Sequence, residues 1–213
     1  EEVVKEMVAS LVHAKEKGAK TVGVNSEDAS RTDIDYLIEF ATAAKNNGAS
    51  TLRYCDTLGY DDPQSIYDRV KTLATKTGMA IELHCHNDLG MAVACSVAGA
   101  AACIDAGVDA HINTTVNGIG ERAGNADLLS VILALRKSSG YGKKYASALQ
   151  DVDIKQSYHL AKYMAYAFQI PIPVNQVGVG ANAFAHESGI HADGALKDRR
   201  NYELYDCEEL GRG

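Results

Sequence analysis

Two histidines one residue apart, at the end of an apolar run, carry the strongest chemical signal in this sequence. In His84-Cys85-His86-Asn87-Asp88, residues i and i+2 of an extended chain face the same way, so both imidazoles project together while Cys85 points away. Imidazoles at that spacing can take adjacent positions on one divalent ion. They could equally be strand-end histidines hydrogen-bonded to their neighbours. Oxygen donors at other strand ends favour the metal, and a mixed nitrogen and oxygen set suits Zn, Mn, Co or Mg without singling one out. Asn117-Gly-Ile-Gly-Glu-Arg-Ala-Gly-Asn125 is a glycine-punctuated turn. Asn125 could lend that ion a carbonyl oxygen, or Asn125 or Asp127 could simply cap the next helix. With glycines at Gly118, Gly120 and Gly124, the turn is one residue too long for a dinucleotide fingerprint.

Other polar residues gather at similar places. Glu27 and Asp28, followed by Arg31, come after an earlier apolar run. A carboxylate there can serve as a general base and Arg31 as a substrate-binding cation, although surface loops are rich in acids anyway. Thr57 offers a hydroxyl and a helix-start amide to a substrate carboxylate, or is an ordinary turn residue. His186-Glu-Ser-Gly-Ile-His191 holds a Ser, a His and a Glu, but no GxSxG elbow supports a serine hydrolase. His13 and His159, on helix surfaces, read as structural or solvated, His111 as the same, and the tyrosines at 158, 163 and 166 as core or interface.

These residues need elements to position them. Four β-type runs recur about every thirty residues: Thr21–Asn25, Thr51–Cys55, Ala80–His84 and Ala110–Thr114. Each is followed by a helical pattern, which is the signature of βαβ units and a parallel sheet. Val4, Met7, Val8 and Leu11 mark an opening helix that ends near Gly18. Thr32-Asp-Ile-Asp35 reads as a capping box, Asp62-Pro63 as a cap with an N1 proline, and the small residues of Leu89–Asp105 as a helix packed on both sides. Leu128, Leu129, Ile132 and Leu135 give the last helix of the series. An open doubly wound sheet gathers its chemistry at one switch point. Here every strand ends in functional-looking groups, which is what a barrel does. The expectation is an α/β fold, the C-terminal half of a (β/α)8 TIM barrel over residues 1–140. Residues 141–213 would follow as a surface linker, Gly140–Lys144, and a small helical C-terminal subdomain.

Composition excludes several alternatives. The 213 residues are 46% apolar and 23% charged with a formal net charge of −7, too apolar for a disordered chain. That balance argues against nucleic acid or an anionic membrane as the main partner. No apolar run approaches the ~20 residues of a membrane span. Five dispersed cysteines without a CxxC point to a reducing compartment, the cytoplasm.

Three stretches taken together, His84–Met91, Asn113–Asn125 and His186–Gly194, resemble the acyl-CoA-condensing enzymes of the homocitrate synthase and 2-isopropylmalate synthase family, whose barrel is HMG-CoA lyase-like. Asn25–Arg31 and Asp56–Tyr60 fit it too, and the resemblance runs through nearly the whole chain. HMG-CoA lyases and oxo-acid aldolases share the HxH but not the GxGERxGN turn. The resemblance implies a transferase of amino-acid biosynthesis that joins acetyl-CoA to a 2-oxo acid in a Claisen-type condensation on a divalent metal. It makes His84, His86 and Asn125 metal ligands, Thr57 the holder of the substrate carboxylate, and Glu27 an acid/base or orienting group. His191 and Tyr202 would reach the site from the C-terminal subdomain, in many relatives from the neighbouring subunit, which implies a homodimer.

The family's Arg-Asp pair, on its first strand, has no counterpart here. The expectation is therefore a fragment with impaired metal affinity and no turnover. A citrate-forming or citramalate-forming relative, and a non-catalytic half-barrel that assembles with another chain, are the alternatives.

Overall fold

In the computed structural model, which describes residues 1–213, four short strands run parallel in the order in which the chain meets them. They are β1 (Gly23–Ser26), β2 (Thr51–Asp56), β3 (Ala80–Cys85) and β4 (Ala110–Ile112). Helices α2 (Ile34–Asn46), α3 (Pro63–Thr77) and α4 (Ala92–Asp105) make the crossovers, and α1 (Glu2–Glu16) precedes β1. Sequential order without a reversal is the pattern of a barrel wall, whereas a doubly wound sheet changes direction at its switch point. The chain is a four-stranded part of an α/β barrel.

Alternation along each strand decides which side chains meet the helices. Leu52, Tyr54, Ile81, Leu83 and Cys85 are all at most 1% exposed, and they occupy alternate positions on one face of β2 and β3. Helix α4 accepts them because it is made of small residues: a Cβ on Gly99 would lie 2.8 Å from Leu83 Cδ2. The opposite face carries Asn25, Arg53, Glu82 and His111, which are neighbours in register across all four strands.

Helix starts are set locally. Asp62 accepts from the amides of Gln64 and Ser65 ahead of Pro63, the cap-and-proline arrangement expected. At α2 the cap is Asp33, which accepts from the Asp35 and Tyr36 amides. Thr32 belongs to the preceding loop, its hydroxyl donating to the Asp28 carbonyl, so the capping box expected at Thr32–Asp35 is not formed.

The chain divides into two compact units, and not at residue 140. The first holds residues 1–114 and 120–126, the second residues 115–119 and 127–213. Helix α5 (Leu128–Lys137), capped by Asp127, therefore belongs to the second unit. Leu129, Leu133, Ile154, Ala161, Val179 and Leu210 form that unit's own core. The stretch expected as a surface linker is a short helix, α6 (Tyr141–Tyr145), with Tyr145 buried. Gly142 allows it: a Cβ there would stand 2.7 Å from the Arg136 carbonyl oxygen. Next come α7 (Ser157–Phe168) and α8 (Gly189–Lys197). On α7, Tyr158 lies against the core, whereas Tyr163 and Tyr166 are exposed, so of the core or interface role expected for the three, the core part holds for Tyr158 alone. No helix is long and apolar enough to cross a membrane.

Candidate active site

The end of β3 delivers the two imidazoles as the period of an extended chain requires. His84 is half-buried on the sheet face away from the helices, and His86, just beyond the strand, is buried. Their ring centroids are 5.1 Å apart at an interplanar angle of 84°. His86 is fixed through its backbone, its amide donating to the Asp56 carbonyl at 3.2 Å. It also forms an antiparallel bridge with Asn125. Its ring nitrogen Nδ1 is buried with no hydrogen-bond partner. A buried imidazole nitrogen left unpaired is costly, and a cation is one partner that removes the cost. Burial holds the His84 pKa below the ordinary histidine value, with the neighbouring His86 and Arg53 acting in the same sense. Both effects keep the ring neutral, the form that ligates metal.

Asn125 is brought to His86 by the turn that precedes it. Gly124 takes the left-handed region at φ +90°, and its carbonyl accepts from the Asn87 amide at 2.9 Å. Asn125 Nδ2 donates to the Cys85 carbonyl at 3.4 Å, which leaves Oδ1 as the free lone-pair donor. That oxygen lies along the open side of Gly120, where a Cβ would come within 2.0 Å of it. Two imidazoles and a carboxamide oxygen are donor types that would suit a borderline or hard divalent cation. The chain contains no cluster of three or more His, Cys, Asp or Glu side chains able to hold a metal. A Gly120→Ala substitution should displace the Asn125 carboxamide and weaken divalent-cation binding about 10- to 100-fold with little loss of stability. Calorimetric titration beside thermal unfolding checks this, and unchanged affinity would remove Asn125 from the donor set.

A second group forms at the ends of β1 and β2. The Thr57 hydroxyl accepts from the Asp28 amide at 2.9 Å and donates to Glu27 Oε1 at 3.2 Å. The hydroxyl expected to hold a substrate carboxylate is thus engaged with the candidate acid/base. Arg31 grips Asp28 through Nε and Nη2, at 2.6–3.1 Å, which leaves Nη1 as its outward donor. Asp56 lies on the helix side and organises the loop after β2, its carboxylate accepting from the Tyr60 and Asp61 amides. His191 and Tyr202 belong to the second unit, their ring centroids 4.4 Å apart and their planes tilted by 35°. Gly194 makes room for that tyrosine, since a Cβ there would fall 2.4 Å from its Cε2. His186 Nε2 lies 3.4 Å from Glu203 Oε1 in the same unit.

Sequence reasoning missed the floor below His84. Arg53 Nη2 and Asn113 Nδ2 both donate to Glu82 Oε1, at 2.7 and 2.8 Å. The signal was available: charged residues at alternate positions of two otherwise apolar strands.

Comparison with known proteins narrows what this arrangement serves. Residues 1–164 match the family model described as HMGL-like. Residues 179–213 match one described as homocitrate synthase post-HMGL domain-like. The chain is 58% identical over 212 residues to a citrate (Re)-synthase of Dehalococcoides mccartyi, covering 100% of this chain and 51% of that protein. It is 44% identical over 210 residues to 2-isopropylmalate synthase 2 of Caldanaerobacter subterraneus, covering 98% and 51%. It is 37% identical over 213 residues to the (R)-citramalate synthase of Methanocaldococcus jannaschii, covering 99% and 40%. The chain therefore spans about half the length of the curated relatives it matches. Among solved structures, it superposes on the HMG-CoA lyase of Bacillus subtilis with a TM-score of 0.58 at 19% identity, covering 78% of this chain and 57% of that one. It also superposes on the carboxyl transferase domain of Rhizobium etli pyruvate carboxylase with a TM-score of 0.56 at 21% identity, covering 74% and 26%. At these identities the structural likeness shows the fold alone.

Proposed function

The chain belongs to the HMGL-like family, and on that premise we propose that it is part of an enzyme joining acetyl-CoA to a 2-oxo acid by Claisen-type condensation. The observation that carries this reading is the unpaired, buried Nδ1 of His86 beside His84 and Asn125. His84, His86 and Asn125 would hold a divalent cation, Zn, Mn, Co or Mg. Such a cation supplies Lewis-acid polarisation of the oxo acid's carbonyl.

The chain's own residues do the rest. Glu27 and Thr57 form a hydrogen-bonded pair suited to moving a proton at Glu27 Oε1, with Thr57 Oγ1 as the group that holds the carboxylate in place. Arg31 Nη1 adds a cationic donor for an anionic substrate. His191 and Tyr202 would act from the second unit, in a homodimer on the neighbouring subunit. The net reaction consumes acetyl-CoA, the 2-oxo acid and water, and releases the CoA thiol and a 2-hydroxy acid carrying one carboxylate more than the oxo acid: a dicarboxylate from pyruvate or 2-oxoisovalerate, a tricarboxylate from oxaloacetate or 2-oxoglutarate.

Similarity to a citrate (Re)-synthase at 58% identity moves the citrate-forming alternative ahead of the homocitrate- and 2-isopropylmalate-forming ones. The test is CoA thiol release with oxaloacetate, 2-oxoglutarate, 2-oxoisovalerate and pyruvate, each with Mn or Zn. Because a barrel of this kind closes with eight βα units and this chain shows four strands, the assay is run with and without a polypeptide supplying the remaining units. Cation binding with thiol release strongest for oxaloacetate is the expected result. No binding of either cation, and no release with any acid, would overturn the reading.

A further inference from the structure

Arg122 lies in the turn between Gly120 and Asn125, and its contacts join three strand-end loops. Its Nε and Nη2 donate to the two carboxylate oxygens of Asp88 at 2.9 and 3.0 Å. The same Nη2 donates to the Thr57 carbonyl at 2.6 Å. One planar guanidinium therefore spans the loops after β2, β3 and β4. The backbone is bent to allow it: Arg122 sits at φ +54°, in the left-handed region that a long side chain rarely adopts. Two of the same loops also fit closely against each other. A Cβ on Gly59 would stand 2.8 Å from the His86 carbonyl oxygen and 2.9 Å from the Asp88 amide nitrogen.

We propose that Arg122 is a positioning residue that locks Thr57 against the histidine pair. Strain held in a solvent-accessible ion pair does little for global folding, but it fixes the relative placement of groups borne by separate loops. Asp88 lies two residues beyond His86, and Asn125 three beyond Arg122. Releasing the guanidinium therefore frees the Thr57 loop and the Asn125 turn together. Lysine cannot replace it, because an ammonium is a point charge without the planar fork that meets a carboxylate and a carbonyl at once.

The inference rests on the condensing-enzyme reading for its purpose, yet the lock itself is measured separately. Arg122→Ala and Arg122→Lys are compared with the parent chain by amide hydrogen exchange, Mn titration and urea unfolding. In Arg122→Ala, exchange should accelerate at least tenfold at the Asn87 amide, which donates to the Gly124 carbonyl, and at the Asp28 amide, which donates to Thr57 Oγ1. Amides inside β2 and β3 and the urea midpoint should not move. The Mn dissociation constant should rise about 10- to 100-fold, Arg122→Lys should recover only part of the loss, and added guanidinium ion should restore the alanine variant. Unchanged exchange at both amides, or loosening spread through the whole sheet, overturns the proposal. Parent protein that binds no Mn even when the polypeptide supplying the remaining units is added overturns the condensing-enzyme reading instead, and the exchange data still decide whether the lock exists.

Discussion

Alanine at His86 weakens Zn or Mn binding by on the order of 100-fold or more, beyond the loss typical of a residue that merely supports a ligand. The ring is buried and its Nδ1 has no partner within the protein. Truncation therefore removes a donor without breaking any side-chain hydrogen bond. The fold keeps the His86 backbone bond to Asp56 and the bridge to Asn125, so the loss of binding is not a loss of structure. His84→Ala should behave alike. His13→Ala, on the exposed side of α1, is the control that leaves affinity unaltered. Calorimetric titration of the three variants decides the matter. Equal affinity in parent and His86→Ala would leave the histidine pair with a purely architectural role.

Asp61→Asn should flatten the pH dependence of stability. Asp61 is 3% exposed, and burial pushes its pKa up from 3.8 to about 6, against the opposing pull of the Tyr54 hydroxyl that donates to it at 2.7 Å. A carboxyl whose folded pKa is raised binds its proton more tightly in the folded state. Its contribution to stability is complete below the unfolded value near 3.8 and is lost as pH rises through about 6. A shift of about two units corresponds to roughly 3 kcal/mol. Urea unfolding of the parent between pH 4 and 7 should show this decline relative to Asp61→Asn, whose amide still accepts from Tyr54. Parallel curves for the two proteins would mean that Asp61 titrates normally. The same cluster holds the loop after β1, because Arg69 donates to the Tyr54 hydroxyl and to the carbonyls of Ala29 and Thr32.

Features written in local physics were legible in the sequence. The Asp62-Pro63 start of α3 depends on a side chain meeting amides two and three residues away. The facing of His84 and His86 follows from the period of an extended chain. The second cap failed by one residue because Thr32 and Asp33 are both competent, and a contact within the preceding loop settled the choice: the Thr32 hydroxyl goes to the Asp28 carbonyl. The helix at Tyr141–Tyr145 was hidden by two glycines that look like a linker, one of which serves close approach to α5. Arg53 with Glu82 and Arg122 with Asp88 bridge 29 and 34 residues, so neither pair is visible until strand register and loop geometry are known.

The thiols of Cys55, Cys85, Cys95 and Cys103 are all buried, and desolvation raises every one of their pKa values, three of them to about 12; Cys207 is partly accessible. Thiolate is the nucleophile toward disulfide reagents, so the native chain should present one reactive sulfur and the denatured chain five. All four shielded sulfurs lie in the first unit and the accessible one in the second. Labelling stoichiometry against denaturant concentration is thus a built-in counter of first-unit opening, and it works without introducing a single probe.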